Sequence, residues 1–396
     1  MKIRITPQNL SGTVSAIPSK SVAHRALICA ALSKEKTKFH NLFYSADILK
    51  TINSLKALGM EFEDETMFPH PAKNKAVLPM GESGSTFRFM LPLSMALGGR
   101  FEFSLAGRLP ERPISPLYGE LIKGGCTLSP EGTNPFVAEG QLKSGVYTLP
   151  GNVSSQFITG LLISLPLLSG DSEIKIEGEI ESFPYIDITR DVQEKFGVFT
   201  HFENNTFYIK GNQEYKSPGE FFIEGDWSNG AFWLSANKIC GNIEIQGLSE
   251  KSKQGDREII EILEKLPTEV DARNIPDLVP IICAVASLTP GKTVIKGARR
   301  LRLKESDRIL SVCETLKNLG ADITPCDDGM IIKGKKTLSG GKTESYGDHR
   351  IAMMAAIASI KCTAPVIIEG AEAVEKSYPH FFEDFKALGG IYEVMT

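Results

Sequence analysis

Two kinds of helix alternate along the chain, and this alternation restricts the fold more than any other feature of the sequence. The first kind is apolar on nearly every side and begins with small, polar or charged residues, as in Ser19 to Leu32 and Gly84 to Leu97. The second kind is amphipathic and usually ends at glycine, as in Ser306 to Gly320. A helix that is apolar all round is a buried helix, whereas an amphipathic helix covers a core with one face only.

The alternation predicts six copies of strand, buried helix, strand, amphipathic helix and strand. The buried helices are predicted at 19–32, 84–97, 154–168, 227–239, 276–288 and 348–360, and the amphipathic helices at 46–59, 115–125, 186–197, 256–265, 306–320 and 380–389. The step between copies is roughly seventy residues, which is longer than the repeats of solenoid proteins. The fourth copy is compressed between Asp256 and Pro276.

Six such copies in a chain of 396 residues predict two similar domains, because one core rarely serves so long a chain. The predicted fold class is α/β (α+β), with three buried helices in each domain and sheets and amphipathic helices outside. The first domain is expected to span residues 18–222, and the second residues 1–17 and 223–396, so the chain would cross between them twice. The polar ends of the buried helices are expected to converge on one cleft between the domains, where small ligands commonly bind.

Composition excludes several classes of protein. The net charge is −4, without the basic excess of a nucleic-acid binder, and no apolar run reaches membrane-spanning length. The residues that follow Met1 alternate like a strand and lack the apolar core of a signal peptide. The seven cysteines are scattered and form no CxxC motif, which predicts reduced thiols in the cytoplasm. The six histidines form no cluster with cysteine, so no metal site is expected.

Basic residues open the first buried helix. Lys20, His24 and Arg25 fall within its first two turns, where each positive charge opposes the helix dipole by roughly 0.3–1 kcal/mol. An anionic ligand would explain such a start on an otherwise apolar helix. The alternative is that the long side chains of Lys20 and Arg25 extend to the surface.

A dense charged cluster, Arg300 to Arg308, follows the strand pattern Thr293 to Ile295 and precedes an amphipathic helix. Backbone N–H groups and the helix dipole favour anions at such a connection. A solvated surface turn would carry the same charges. The Gly/Ser loop before Arg88 resembles a phosphate-binding turn, but it lacks the form of a nucleotide P-loop.

Polar and acidic residues open the other buried helices. Ser154, Ser155 and Gln156 precede an apolar run, and N-capping explains only one of these three side chains. Asp277 comes close to the start of an apolar helix, where the dipole should lower its pKa, although capping alone would also place it there. His349 would titrate near neutral pH, although a lone histidine is more often structural.

Taken together, these motifs resemble those of the 5-enolpyruvylshikimate-3-phosphate synthase family. The matching segments, in the family's order and at about its spacing, are Lys20-Ser21 with Arg25, Gly84-Ser85-Thr86 with Arg88, Glu111-Arg112-Pro113-Ile114, Ser154-Ser155-Gln156, Pro184-Tyr185, Ile275-Pro276-Asp277, Lys304-Glu305-Ser306-Asp307-Arg308, Asp348-His349-Arg350 and Lys376 with Pro379. The resemblance covers nearly the whole chain. It implies two domains, each of three βαβαββ units with buried parallel helices (an inside-out α/β barrel), and a cleft between them.

The resemblance also implies an activity. Members of this family transfer the enolpyruvyl group of phosphoenolpyruvate to the 5-hydroxyl of shikimate 3-phosphate and release phosphate, by addition and elimination through a tetrahedral intermediate. This step of the shikimate pathway leads to chorismate and the aromatic amino acids. It uses no cofactor and no metal. The expected partners are therefore the two small-molecule substrates, with no nucleic acid and no membrane, and the expected enzyme is a cytoplasmic monomer.

The resemblance assigns a role to each matching residue. The catalytic residues would be Asp277 as proton acceptor, Glu305 as proton donor, Lys20 and His349. Phosphoenolpyruvate would be bound by Lys20, Gly84, Arg88, Arg112, Gln156, Arg308, Arg350 and Lys376. Shikimate 3-phosphate would be bound by Lys20, Ser21, Arg25, Ser154, Ser155, Gln156, Ser182, Tyr185, Asp277 and Lys304. An acid at position 305 would need a raised pKa at neutral pH, which predicts a partly desolvated site.

The chain departs from the family pattern at Glu82 and Arg300, where asparagine is common. The side chain of Glu82 is expected to point away from the anion site, and Arg300 is expected to contact substrate. Gly84 suggests sensitivity to glyphosate, because members with alanine there tend to exclude this inhibitor.

Two alternatives remain open. The first is the sister enzyme, UDP-N-acetylglucosamine enolpyruvyl transferase, which shares the fold but typically has Lys-Asn near the start and a reactive cysteine in a loop. Here the loop before Arg112 has no cysteine, and Cys126 lies in a strand-like context. The second is a non-catalytic anion-binding module, and the presence of both Asp277 and Glu305 argues against it.

Overall fold

The computed structural model describes residues 1–395 as alternating helices and strands. The helices are α1 (Lys20–Leu32), α2 (Ala46–Ala57), α3 (Gly84–Leu97), α4 (Leu117–Lys123), α5 (Ser155–Ser164), α6 (Phe183–Lys195), α7 (Trp227–Ile239), α8 (Ile259–Lys265), α9 (Val279–Ser287), α10 (Arg308–Asn318), α11 (His349–Ser359) and α12 (Phe381–Ala387). Short 3₁₀ turns lie at Leu109–Glu111, Leu165–Leu167, Gly255–Glu258, Arg299–Leu303 and Ala371–Lys376.

The strands are short. They are β1 (Lys2–Thr6), β2 (Ser11–Ser15), β3 (Thr37–His40), β4 (Glu61–Glu63), β5 (Thr66–Phe68), β6 (Lys75–Gly81), β7 (Gly99–Leu105), β8 (Cys126–Leu128), β9 (Phe136–Gly140), β10 (Val146–Pro150), β11 (Ser172–Glu177), β12 (Thr200–Glu203), β13 (Thr206–Ile209), β14 (Glu220–Phe222), β15 (Asn242–Gln246), β16 (Glu269–Asp271), β17 (Gly291–Lys296), β18 (Asp322–Cys326), β19 (Gly329–Gly334), β20 (Gly341–Glu344), β21 (Val366–Glu369) and β22 (Ile391–Met395).

The chain divides into two compact units. Pro18–Glu224 form the inserted unit, and Met1–Ile17 form the terminal unit together with the chain from Gly225 onward. Each unit has its own buried apolar core. The predicted α/β fold class is confirmed, because helices and mixed sheets alternate throughout both units.

One sheet pattern recurs in both units. Within residues 1–395, five sheets have four strands and one has two. In every four-stranded sheet the first pair is parallel and the next two pairs are antiparallel, as in β6-β7-β9-β8 and β16-β17-β19-β18. The two-stranded sheet keeps only the parallel pair, β2 with β15. It belongs to the fourth copy, the one that the sequence shows to be compressed.

The apolar helices are buried, as their composition predicts. In the terminal unit α7, α9 and α11 contact one another, and in the inserted unit α3 packs against α5. α5 approaches α3 closely at Gly160, where a Cβ atom would lie 2.4 Å from the Arg88 carbonyl oxygen. Close packing of two helices there requires a residue without a side chain.

The predicted start of one buried helix is wrong. The sequence pattern placed it at Pro276, but α9 begins at Val279, and Asp277 lies in the turn before it. Pro280 lies in the first turn of α9, where the N–H that proline lacks would have no partner within the helix. None of the helices within residues 1–395 combines the length and the apolar character that crossing a bilayer demands.

Candidate active site

The start of α1 carries an ion pair in the inserted unit. Ser19 caps the helix and accepts a hydrogen bond from the N–H of Val22. Lys20 Nζ lies 2.8 Å from Asp47 Oδ2 at the start of α2, and both side chains are largely buried. The carboxylate offsets the unfavourable interaction of a lysine with the helix dipole. Sequence reasoning missed Asp47, because an acid in the first turn of a helix is normally explained by that dipole alone.

Arg25 joins α1 to α6 from a buried position. Its Nε donates to Thr189 Oγ1 at 2.7 Å, and its Nη2 donates to the Tyr185 carbonyl oxygen at 2.9 Å. Its Nη1 donates to the Ser21 carbonyl oxygen at 2.6 Å, and the guanidinium lies over the ring of Phe89. Burial lowers the pKa of Arg25 to about 10, so the group stays charged at neutral pH. Arg25 therefore brings the segments of Ser21 and Tyr185 together.

The start of α3 gathers hydrogen-bond donors around a glycine. A Cβ atom at Gly84 would lie 2.7 Å from Arg88 Nη1 and 2.9 Å from Arg112 Nη1, so both guanidinium groups face this residue. Arg88 Nη1 donates to Gln156 Oε1 at 3.0 Å, and Gln156 Nε2 donates to Ser85 Oγ at 2.9 Å. Two arginines at a helix N-terminus form an arrangement that suits a phosphate or carboxylate group.

Three serines lie at the starts of neighbouring helices. Ser154 caps α5 and accepts a hydrogen bond from the N–H of Gln156 at 3.3 Å, and Ser155 is buried in the first turn. Ser182 precedes α6 with a φ of 58°, in the left-handed region that non-glycine residues rarely adopt. Such backbone strain is concentrated at functional sites.

Arg308 is the centre of the charged cluster in the terminal unit. Its side chain is 1% exposed. Its Nε donates to Asp348 Oδ2 at 2.7 Å, its Nη1 to Asp277 Oδ1 at 2.8 Å, and its Nη2 to Glu305 Oε2 at 2.8 Å. Burial lowers the pKa of Arg308, but the three carboxylates outweigh burial and raise it well above its ordinary value.

Asp277 lies among three cations. Besides Arg308, it accepts a hydrogen bond from Arg350 Nη2 at 2.9 Å, and Lys304 Nζ lies 3.6 Å from its Oδ1. Burial raises the pKa of Asp277, but the charges of Arg350, Lys304 and Arg308 prevail and hold it well below its ordinary value. Burial lowers the pKa of Lys304, and the charge of Asp277 only partly offsets this effect. Asp277 is therefore ionised at neutral pH.

The start of α11 lies beside the segment that carries Lys376. Asp348 caps α11 and accepts from the N–H of Arg350 at 3.0 Å. His349 is buried, and its Nδ1 lies 3.8 Å from Asp348 Oδ1. Lys376 Nζ donates to the Gly347 carbonyl oxygen at 2.8 Å.

A second carboxyl group in this unit was missed by sequence reasoning. Asp256 is buried, and the pattern indicated only that it begins an amphipathic helix. Burial raises its pKa to about 7, and the negative charge of Asp277 contributes to the increase. No local signal could have shown this proximity, because the two residues belong to different elements.

The predicted site residues are therefore distributed over both units. In the inserted unit Lys20 pairs with Asp47, Arg25 joins the segments of Ser21 and Tyr185, and Gly84, Arg88, Arg112 and Gln156 form a third group. The terminal-unit cluster contains Asp277, Lys304, Glu305, Arg308, His349, Arg350 and Lys376. The side chain of Glu82 is exposed, and its orientation away from the anion site stays a prediction. Arg300 donates to the Arg273 carbonyl oxygen at 2.9 Å. In the described part of the chain, residues 1–395, no group of His, Cys, Asp and Glu side chains could hold a metal ion.

Comparison with known proteins gives the family. The sequence profile of EPSP synthase (3-phosphoshikimate 1-carboxyvinyltransferase) matches residues 5–274 and 264–385. The chain belongs to the EPSP synthase family. The 3-phosphoshikimate 1-carboxyvinyltransferase of Clostridium perfringens is 43% identical over 98% of this chain and 99% of that protein. The enzyme of the same name from Clostridium acetobutylicum is 41% identical over 98% of this chain and 97% of that protein.

The solved structures agree on the fold. EPSP synthase from Acinetobacter baumannii superposes with a TM-score of 0.83 at 24% identity, and the match covers 100% of both chains. The family resemblance read from the motifs is confirmed, and so is the two-domain EPSP synthase fold. The sister transferase acting on UDP-N-acetylglucosamine is not favoured.

Proposed function

We propose that this protein transfers the enolpyruvyl group of phosphoenolpyruvate to the 5-hydroxyl of shikimate 3-phosphate and releases phosphate. The observation that carries this proposal is the terminal-unit cluster. Asp277 and Glu305 both bond to Arg308, and Arg350 and Lys304 lie beside Asp277. The cluster combines cations for anionic substrates with two carboxyl groups for moving protons.

The two units are proposed to act on the same pair of substrates. Arg88, Arg112 and Lys20 would bind the phosphate and carboxylate groups of phosphoenolpyruvate, with Gly84 allowing close approach of the backbone. Gln156 would bind beside them, and Arg308, Arg350 and Lys376 would contribute from the terminal unit. Arginine suits these groups because its planar fork matches two oxygens at once.

Shikimate 3-phosphate is proposed to bind at the starts of α1, α5 and α6, with further contacts from the terminal unit. The residues proposed to bind it are Lys20, Ser21, Arg25, Ser154, Ser155, Gln156, Ser182, Tyr185, Asp277 and Lys304. Arg25 supports this grouping, because its guanidinium group joins the segments of Ser21 and Tyr185 through hydrogen bonds to their carbonyl oxygens.

The proposed chemistry begins with addition. Asp277 takes the proton of the 5-hydroxyl as that oxygen bonds to C2 of phosphoenolpyruvate, and Glu305 gives a proton to the methylene carbon. In the elimination that follows, the bond from C2 to the phosphate oxygen breaks. Glu305, now a carboxylate, removes a proton from the new methyl group, and the vinyl ether forms. Lys20 stabilises the departing phosphate, and His349 supports the proton transfers.

The ion pairs of the terminal-unit cluster affect the protonation of Asp277 and Glu305, on which their proposed catalytic roles depend. Arg308 and Arg350 stabilise Asp277 as a carboxylate, which makes it a weak base. A substrate carboxylate that binds these two arginines would replace Asp277 on them and raise its basicity. The same exchange at Arg308 would free Glu305 to hold a proton. These roles require the substrates to compete for the arginines.

The test measures phosphate release from phosphoenolpyruvate with either shikimate 3-phosphate or UDP-N-acetylglucosamine as acceptor. We expect turnover with the first acceptor only. Asp277→Ala should lower kcat by about 10²–10⁴-fold. Calorimetry should still detect shikimate 3-phosphate binding, because the variant removes a negative charge and keeps the cations.

The matched control is Asp271→Ala, which removes an acid of the same unit that pairs with Arg273 on the surface. It should keep full turnover. Full activity of Asp277→Ala would overturn the role of Asp277, and absence of wild-type turnover with both acceptors would favour a non-catalytic module. We also propose that the enzyme acts as a monomer in the cytoplasm, which sedimentation and cell fractionation would test.

A further inference from the structure

A chain of buried side chains connects α1, α2 and α3 in the inserted unit. His24 Nδ1 lies 2.7 Å from Thr51 Oγ1, and Thr51 Oγ1 lies 2.8 Å from Thr86 Oγ1. Thr86 Oγ1 in turn lies 2.7 Å from Ser83 Oγ. The proposed mechanism uses none of these four side chains. All four are at most 1% exposed, so water cannot replace a lost partner.

The imidazole of His24 lies at one end of these hydrogen-bonded side chains. Burial, together with the charges of Lys20 and Arg25, holds the pKa of His24 well below its ordinary value, so the ring is neutral and carries one N–H. Within residues 1–395, Nε2 has no hydrogen-bond partner. The hydrogen bond between Nδ1 and Thr51 Oγ1 therefore fixes the position of the ring.

Hydrogen bonds between hydroxyl groups continue the connection from Thr51 to Thr86 and from Thr86 to Ser83. Ser83 is the N-cap of α3, and its Oγ also accepts from the N–H of Thr86. The next residue is Gly84, which faces Arg88 and Arg112. The last member of the chain therefore sets the position of the loop on which those two arginines converge.

We propose that His24 and Thr51 are positioning residues that hold the Gly84 loop in the geometry that binds phosphoenolpyruvate. The inference rests on the proposed function. The two residues act through Thr86 and Ser83 and contact no reacting group. Shikimate 3-phosphate, which is proposed to bind at other helix starts, depends on them much less.

The central experiment replaces the middle link. Thr51→Val keeps the shape of the side chain and removes its hydroxyl, whereas Thr51→Ser keeps the hydroxyl. Loss of a buried hydrogen bond should raise KM for phosphoenolpyruvate roughly 5- to 30-fold in Thr51→Val. We expect kcat to change by less than about 3-fold and KM for shikimate 3-phosphate by less than about 2-fold, with Thr51→Ser close to wild type.

Thr37→Val is the matched control. Thr37 is equally buried in the same unit, and its Oγ1 lies 2.7 Å from Ser217 Oγ in a different set of hydrogen bonds. This control should lose stability without a change in either KM. Equal changes in KM for the two substrates in Thr51→Val, or the same kinetic change in Thr37→Val, would overturn the proposal.

A double-mutant cycle tests whether His24 and Thr51 act through the same series of hydrogen bonds. His24→Leu should raise KM for phosphoenolpyruvate as Thr51→Val does, and the double variant should be little worse than either single variant. Effects that multiply would mean that the two residues act independently, and the proposal would fail.

Hydrogen exchange provides a readout independent of activity. Because Ser83 caps α3, Thr51→Val should accelerate exchange of the backbone amides of residues 85–87, and Thr37→Val should not. Unchanged exchange in Thr51→Val would overturn the proposed connection to the loop. If the wild-type protein gave no turnover, the proposed function would fail. The exchange result would still decide whether the hydrogen-bonded side chains from His24 to Ser83 hold the Gly84 loop.

Discussion

Replacing Arg308 with methionine would test how the terminal-unit cluster is held together. The guanidinium is almost fully buried and bonds to Asp348, Asp277 and Glu305 at 2.7 to 2.8 Å. Methionine fills a similar volume without charge or donors. The substitution therefore removes the cation that the three carboxylates share and leaves them around an uncharged side chain.

The magnitude follows from how far each carboxylate can recover. Asp348 is 0% exposed and cannot be rehydrated. Asp277 and Glu305 are 18% and 26% exposed, and Asp277 keeps Arg350 and Lys304 as neighbours. Breaking a buried ion pair costs about 3–5 kcal/mol, because a buried charge is left without compensation. We expect Arg308→Met to lower the free energy of unfolding by about that amount at pH 7.

The loss should depend on pH in a definite direction. The depressed pKa of Asp277 means that its ion pairs stabilise the wild-type fold above the pKa of the unfolded chain. That stabilisation disappears as the pH falls through the folded-state pKa, which lies well below the ordinary value. The difference between variant and wild type should therefore be full at pH 7 and shrink under strongly acidic conditions.

The assay is urea denaturation followed by tryptophan emission. Both tryptophans of the chain, Trp227 and Trp233, are buried in α7, so their emission reports on the terminal unit. Arg273→Met is the control, because the pair of Arg273 with Asp271 is more than a third exposed and should contribute less than about 1 kcal/mol. Stability of Arg308→Met within about 1 kcal/mol of wild type at pH 7 would refute the reasoning.

Three further outcomes are expected. Gly84→Ala should raise KM for phosphoenolpyruvate and the inhibition constant for glyphosate, each by roughly 10-fold or more, because the new methyl group displaces Arg88. Unchanged inhibition by glyphosate would contradict this prediction. Gly160→Ala should lower the free energy of unfolding by about 1–3 kcal/mol, measured by denaturation, because its Cβ would overlap the backbone of α3. A thiol reagent should react quickly with the exposed Cys326, more slowly with the half-buried Cys240, and with the other cysteines only after unfolding.

The positions of several helices could be predicted from the sequence. α3 and α7 begin and end as the apolar runs predict, because side-chain periodicity is a local property of the chain. The start of α9 was predicted too early, at Pro276 instead of Val279, because an apolar pattern alone does not mark where the first helical turn begins. The motifs in chain order were sufficient to give the family, which the comparisons confirm.

The partners of the site residues were not predictable in the same way. Lys20 was expected to meet an anionic ligand, and it also pairs with Asp47. Arg308 was expected to bind substrate, and in the fold it bonds to three carboxylates, two of them on other elements. Composition and spacing show that these charges exist, but they do not show which of them share a buried site.

The sequence by itself determined which segments form helices, which of them are buried and where the charged residues enter the chain. Only the tertiary structure decided that β1 pairs with β21 and β22 from the other end of the chain, and that His24 reaches Ser83 through two threonines. The physical reason is that helix and strand patterns depend on neighbours along the chain. Ion pairs and hydroxyl chains depend on which distant segments the packing of the core brings within about 3 Å of one another.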